Sequence, residues 1–353
     1  MGRLISVNRR EMATKRFKFL FYEVVPIFAI NFILLVLEWS VLSLIVNQAS
    51  ASYGMLFYLI RALAIFLVII LFLFISNRYR LKKIQPANKE LALHKGFLKL
   101  YKVTKKNYFY QFLYSLLLFF LILTPLEFLI SFTLPQTVSY RAVSLVFKYE
   151  NSYLFLDNFL LFLFSSCVIQ FSISFSEETI FRGLITKRGS EHFNQISAVM
   201  ISTFSFMFVE VLIYTPFFTV SYYFGVIWFI KSFIIGLVLS LTMIRRKWLF
   251  PLILAKTINS VISSVIIWEF LRGGNIMQSL SFIYSPLIII SLILLVLQRS
   301  RVKESLQIGM KMMKAYFRND TKAKESSGDK TFRILFDIFI AFLLFLIALL
   351  ITV

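Results

Sequence analysis

The sequence predicts an all-α, polytopic integral membrane helix bundle of about nine transmembrane helices, and three observations predict it. Of the 353 residues, 59% are apolar and only 16% are charged. An ordinary soluble domain is about half apolar and about a quarter charged. Mean hydropathy is +0.81, and apolar runs of about twenty residues, enough to cross a bilayer, recur along the whole chain. These runs exclude a soluble globular protein. They also lack the alternating pattern of an outer-membrane barrel strand.

Nine segments follow in order: 19–46, 55–76, 108–134, 153–185, 195–218, 222–244, 248–271, 279–298 and 334–353. In hydrocarbon each backbone polar group needs an internal partner, so runs of this length are expected to be helices. The first run is too long for the apolar core of a signal peptide. The organisation expected is a basic N-terminus (1–18), N-terminal helices (19–152) interrupted by a basic loop (77–107), and a membrane core (153–298). A second basic loop (299–333) and a C-terminal helix (334–353) complete the chain.

The formal charge of +21 is explained by topology. Of the 38 Lys and Arg residues, 31 fall in segments 1–18, 77–107, 186–194, 245–247 and 299–333. The opposite loops hold only Arg141, Lys148 and Arg272. Basic residues hold loops on the cytoplasmic side. A cytoplasmic N-terminus and an external C-terminus are therefore expected, with no nucleic-acid partner. Loop 77–107 spaces apolar residues among its lysines and can lie as an amphipathic helix on anionic headgroups, or be a solvated anchor. His94 and His192 fall in basic segments and are expected at the surface. Cys167 is expected to be a small buried hydrophobe, and it excludes an intramolecular disulfide. With two histidines and one cysteine, neither a metal site nor another cofactor is expected.

Ionisable groups inside spans are costly and point to function. The densest group is SFSEETIFRG in the fourth span. Glu178 and Arg182, four residues apart, share a helix face, whereas Glu177 points about 100° away. Two carboxylates beside an arginine suit a general base, or form a structural ion pair that locks the span. At helical rise, Glu177 lies about 15 Å from the basic edge, Lys256 about 13 Å, Asn259 about 18 Å and Glu210 about 22 Å. The shared depth suggests one polar cavity. Glu23, Glu38, Arg61, Glu127 and Lys231 fit it less well, and several lie near span ends, where side chains snorkel.

EETIFRG resembles the first motif of the CAAX-protease and bacteriocin-processing (CPBP or Abi) family, which includes the type II CAAX prenyl endopeptidases. That family's pattern is Glu-Glu-x-x-x-Arg, then Phe-x-x-x-His on the next span, then His-x-x-x-Asn two spans later. Glu177, Glu178 and Arg182 match the first motif. AVMISTFSFMFVE resembles the second with Phe206 in place, but Glu210 stands at its histidine. GLVLSLTMIRRKWLFPLILAKTIN resembles the approach to the third, where Asn259 matches and Ala255 replaces the histidine. The resemblance spans about 153–262 and implies a multi-helix membrane protein.

If active, such a protein cuts a membrane-associated peptide with glutamate-activated water. Glu177 would be the base, Glu178 and Arg182 its orienting pair, Glu210 a proton relay, and Asn259 the oxyanion donor. Lys256 can reach a developing oxyanion, or pair with Glu210 and plug the site. The alternatives are a catalytically degenerate scaffold or bacteriocin-immunity-like protein that binds a membrane partner, and a transporter using the charges as an ion relay.

Overall fold

The structure, a computed structural model, describes residues 9–79, 93–146, 148–213, 222–318 and 326–352. Among these residues there is no strand, and eight helices are long and apolar enough to cross a membrane. They are Arg9–Ile45, Ala51–Arg78, Tyr108–Thr133, Phe159–His192, Phe224–Arg246, Phe250–Leu271, Ile276–Leu297 and Ser327–Ala348. The shorter apolar helix Gln195–Ile213 fills the fifth place in the order. The expected continuation to residue 218 lies outside the described residues.

Local sequence sets the ends of these helices. Asn158 Oδ1 accepts from the N–H groups of Leu160 and Leu161 at 2.9 and 3.1 Å, capping the fourth span. Asn275 does the same for the eighth with Met277 and Gln278. Such caps satisfy donors that a helix leaves open at its N-terminus. Proline explains two internal irregularities. Single π-helical turns at Leu20–Val24 and Phe119–Leu123 directly precede the turns holding Pro26 and Pro125. A proline lacks the N–H and crowds the carbonyl one turn back, and a widened turn accommodates both.

Contacts at the ends sort the loops into two sets. At one end, Arg16 Nη2 donates to Ser197 Oγ at 3.0 Å, and the Leu249 N–H donates to the Leu100 carbonyl at 2.9 Å. At the other, Ser152 Oγ donates to the Ser50 carbonyl at 2.9 Å, and Trp268 Nε1 to that of Leu156 at 2.9 Å. The first set joins segments the charge bias placed together, so one end of the bundle is the basic end.

Spans approach closely where side chains are small, as expected when lipid gives helices no hydrophobic reason to associate. A Cβ on Gly236 in the sixth span would stand 3.3 Å from Phe206 and Thr203 of the fifth. Some hydroxyls in the spans return to their own helix, as when Ser172 donates to Val168 O at 2.8 Å and Thr257 to Ile253 O at 2.8 Å. No polar hydrogen of these groups is then left in hydrocarbon.

Several expectations are corrected. Segment 299–333 is not a plain loop; it contains the 20-residue helix Arg299–Arg318. Independently of these corrections, the ninth span packs with the rest of the bundle, burying Ile340, Ala341, Leu344 and Ala348 with residues of the first, fifth and seventh spans. Glu23 does not snorkel. It is 0% exposed and is bonded by Arg188 Nε and Nη2 at 2.9 and 2.8 Å, with His192 Nε2 at 2.6 Å. His192 is therefore no surface residue. Pairing of this kind lets the fourth helix run to His192, past the apolar run that foretold it. Cys167 is exposed, on the outward face with Leu160, Phe164 and Phe171. Of segment 77–107, residues 80–92 lie outside the described residues. Leu93–Tyr101 turns inward instead of lying on headgroups, burying Phe97 and Leu100 in the core.

Candidate functional site

The fourth span supplies the first three side chains and packs against both the fifth and the seventh. Its helix changes character at the motif: Phe159–Glu178 is α-helical and Thr179–Arg188 is π-helical. No proline causes this turn. Packing and side-chain donors support it instead. Gly183 gives room to Phe97, whose ring would stand 3.1 Å from a Cβ placed there. The Phe181 carbonyl accepts from Thr186 Oγ1 at 2.9 Å and from Ser202 Oγ of the fifth span at 2.7 Å. Extended π-helix is rare and recurs at functional sites.

Glu178 and Arg182 are both 0% exposed, with Nη1 and Oε1 3.2 Å apart. Beyond that ion pair, neither Glu178 oxygen and none of the three Arg182 nitrogens has a hydrogen bond among the described residues. The guanidinium instead lies over Phe206, 4.4 Å from the ring centroid, and 5.8 Å from that of Phe181. Aromatic faces stabilise a desolvated cation without accepting a directed hydrogen bond.

Glu177 faces elsewhere, as the helix geometry requires, and its side chain keeps 25% exposure. Its Oε2 forms an ion pair with Lys256 Nζ. The ammonium also lies 3.8 Å from Glu178 Oε1 and 4.5 Å from the Phe206 centroid. Lys256 thus joins the two glutamates and shares one aromatic ring with Arg182. Its ion-pair partner is Glu177, not Glu210.

Glu210 lies one helical turn beyond Phe206, on the same face of the fifth span. It makes no hydrogen bond among the described residues, although the charges of Glu177, Lys256, Lys231 and Arg141 act on it. Asn259 is half-buried one turn past Lys256, and it too makes no hydrogen bond among the described residues. The fold therefore brings Glu177, Glu178, Arg182 and Lys256 together, sets Glu210 within their field, and leaves Asn259 on the helix of Lys256 without a hydrogen bond to them among the described residues.

Two neighbours escaped the sequence reading. Phe206 was visible as a motif position but not as the platform for both cations. Tyr101 gave no signal at all, being one aromatic in a basic loop. Its hydroxyl lies 2.6 Å from Thr179 Oγ1, the residue after Glu178. Burial pushes the Tyr101 phenol above its ordinary range, so it stays neutral here.

The remaining ionisable groups belong to separate clusters. Glu127 accepts from Arg141 Nη1 at 2.8 Å and pairs with Lys231 Nζ at 2.5 Å, which lies 3.9 Å from the centroid of Trp228. Glu38 is half-buried in the first span, and the charge of Arg61 acts on it. Among the described residues no three His, Cys, Asp or Glu side chains converge as metal ligands.

Comparison with known proteins agrees with the motif reading. Residues 157–262 match a family model described as Rce1-like, type II CAAX prenyl endopeptidase Rce1-like. That stretch contains Glu177, Glu178, Arg182, Glu210, Lys256 and Asn259. No curated protein and no solved structure matches the chain. Over residues 157–262, within its fourth to seventh spans, this multi-pass membrane protein is similar to the Rce1-like type II CAAX prenyl endopeptidases.

Proposed function

We propose that the chain is a membrane endopeptidase of the CAAX-protease kind, in which Glu177 activates water and Lys256 supplies the positive charge missing with the third-motif histidine. The single observation that carries this reading is the Glu177–Lys256 ion pair within the matched motif. It sets a partly exposed carboxylate beside a fixed cation, and hydrolysis by activated water needs both.

In this reading Glu177 takes a proton from water as the water oxygen bonds to the peptide carbonyl carbon. Negative charge develops on the carbonyl oxygen, and Lys256 stabilises it with Asn259. Glu177 then returns its proton to the amide nitrogen as the C–N bond breaks. Glu178 and Arg182 position Glu177, and Glu210 holds the local field. The substrate is a membrane-associated peptide or protein, reached from the basic end, which the charge bias assigns to the cytoplasm.

A second reading, a non-catalytic scaffold that binds a membrane partner, is favoured by the same lysine. Lys256 neutralises the base, and Ala255 has no donor side chain. The two are separated by cleavage of a fluorogenic prenylated peptide by purified protein in liposomes, with Glu177→Gln alongside. The endopeptidase reading expects cleavage that the substitution slows by about 10²–10⁴, with unfolding within a few degrees of wild type. Folded protein that cuts no peptide, or a variant that cuts at the same rate, favours the scaffold.

A further inference from the structure

Between the eighth and ninth spans, the helix Arg299–Arg318 runs along the basic end. Its residues fall into three sectors. At about 100° per residue, Leu306, Met310, Met313 and Phe317 share one stripe about 60° wide. Leu306, Met310 and Phe317 are 61%, 56% and 52% exposed. On one flank of the stripe stand Lys303, Lys311 and Lys314, all exposed.

The opposite flank faces the bundle. There Tyr316 is 2% exposed and donates to Asp337 Oδ2 at 3.0 Å, and its carbonyl accepts from Arg333 Nη2 at 2.6 Å. The helix carries Arg299, Arg301, Lys303, Lys311, Lys314 and Arg318 against one acid, Glu304. Two membrane spans hold its ends, so connectivity keeps it near the bilayer surface.

A helix with an open apolar stripe, a cationic flank and a tethered third side has the layout of one lying in a membrane interface. We propose that Arg299–Arg318 is an interfacial arm that binds the anionic phospholipid headgroups of the bilayer its own chain crosses. The apolar stripe enters the acyl boundary, and Lys303, Lys311 and Lys314 meet the lipid phosphates. Charge selects this occupant. A second copy of the chain would bring the same cations to the same face, whereas an anionic leaflet supplies the opposite charge.

The arm is keyed to the body through Tyr316 and Asp337. Asp337 Oδ1 also accepts from Arg16 Nε at 2.6 Å, and Arg16 reaches Ser197 at the start of the fifth span. Lipid binding is therefore expected to raise the stability of the whole bundle.

The test is thermal unfolding of the full chain in neutral-detergent micelles doped with phosphatidylglycerol or phosphatidylcholine. Native mass spectrometry counts the lipids retained. The expected result is a rise in unfolding temperature and lipid retention specific to phosphatidylglycerol. The triple variant Lys303→Gln, Lys311→Gln, Lys314→Gln should lose most of that rise. A control triple at the same end, Lys102→Gln, Lys105→Gln, Lys106→Gln, should keep it.

Unfolding in phosphatidylcholine micelles shows that each variant is folded. Should the first triple not fold, Leu306→Ser with Met310→Ser takes its place and should lose the same rise. Equal effects of the two lipids, an unchanged rise in the arm variants, or equal loss in the control would overturn the proposal. So would a dimer in detergent that Leu306→Ser with Met310→Ser dissociates, since that assigns the face to a second copy.

Discussion

The buried ionic cluster at the basic end and the one in the middle of the bundle use the same residue types and are bonded very differently. At the basic end each oxygen of Asp337 has its own donor, Arg16 Nε at 2.6 Å and Tyr316 Oη at 3.0 Å. Burial and the neighbouring Asp337 charge push the Tyr316 phenol up, which keeps it a neutral donor. Arg16 spends further N–H groups on the Met12 carbonyl and Ser197. This cluster is saturated and joins the first, fifth and ninth spans.

In the middle, Glu178 lies 3.2 Å from Arg182 and 3.8 Å from Lys256, the Arg182 guanidinium lies over Phe206, and none of the Glu178 or Arg182 polar atoms has a hydrogen bond among the described residues. Glu177 stays partly exposed. Buried charges with every bond made lock a structure. Buried charges with bonds to spare are costly and persist where chemistry or binding uses them.

That contrast can be broken at several points. The largest effect is expected at the saturated cluster. Asp337→Ala strands Arg16 and Tyr316 together and should cost about 3–5 kcal/mol, the scale for removing one partner of a buried pair. Denaturation in detergent should show a large drop in midpoint or a failure to purify; a loss below about 1 kcal/mol would mean that the cluster is no lock.

Next comes Glu177→Gln. Under the endopeptidase reading it should lower the cleavage rate by about 10²–10⁴, the range for a general base, with little change in unfolding. Lys256→Met should follow, at about 10²–10³ in rate for one oxyanion donor. If Lys256→Met is instead as destabilising as Asp337→Ala, the lysine is structural.

The smallest effect is expected from Ser202→Ala. It removes one of two donors to the Phe181 carbonyl in the π-helical stretch and should cost about 0.6 kcal/mol, typical of a hydrogen bond between membrane helices. A much greater loss would show that the π-helical turn depends on the fifth span.

The spans were legible because a bilayer forces a simple rule: long apolar runs must be helices. Cation counts read the two ends correctly as sets, since Leu100 meets Leu249 and Arg16 meets Ser197 as the charge bias implied. The four-residue spacing likewise foretold the Glu178–Arg182 pair. What escaped were pairings set by how distant helices cross. Glu23 and Arg188 are 165 residues apart, and nothing local to either names the other.

The direction of Lys256 escaped for a related reason. Its position beside Ala255 fixes a helix face, but which carboxylate of another span meets that face depends on how the helices cross, and the π-helical turn after Glu178 was equally unforeseen. Periodicity of 3.6 residues contains no signal for such a turn. The arm at 299–318 carries too few apolar residues for a span, so hydropathy gives a loop there, although their spacing is helical.

The most direct measurement is the cleavage of one prenylated peptide by wild type, Glu177→Gln and Lys256→Met in the same liposomes, with unfolding temperatures for all three. A working Glu177–Lys256 pair predicts that both variants lose the rate while unfolding within a few degrees of wild type. Rates that survive both substitutions, or unfolding temperatures that fall as far as for Asp337→Ala, would contradict it and leave the pair a structural lock.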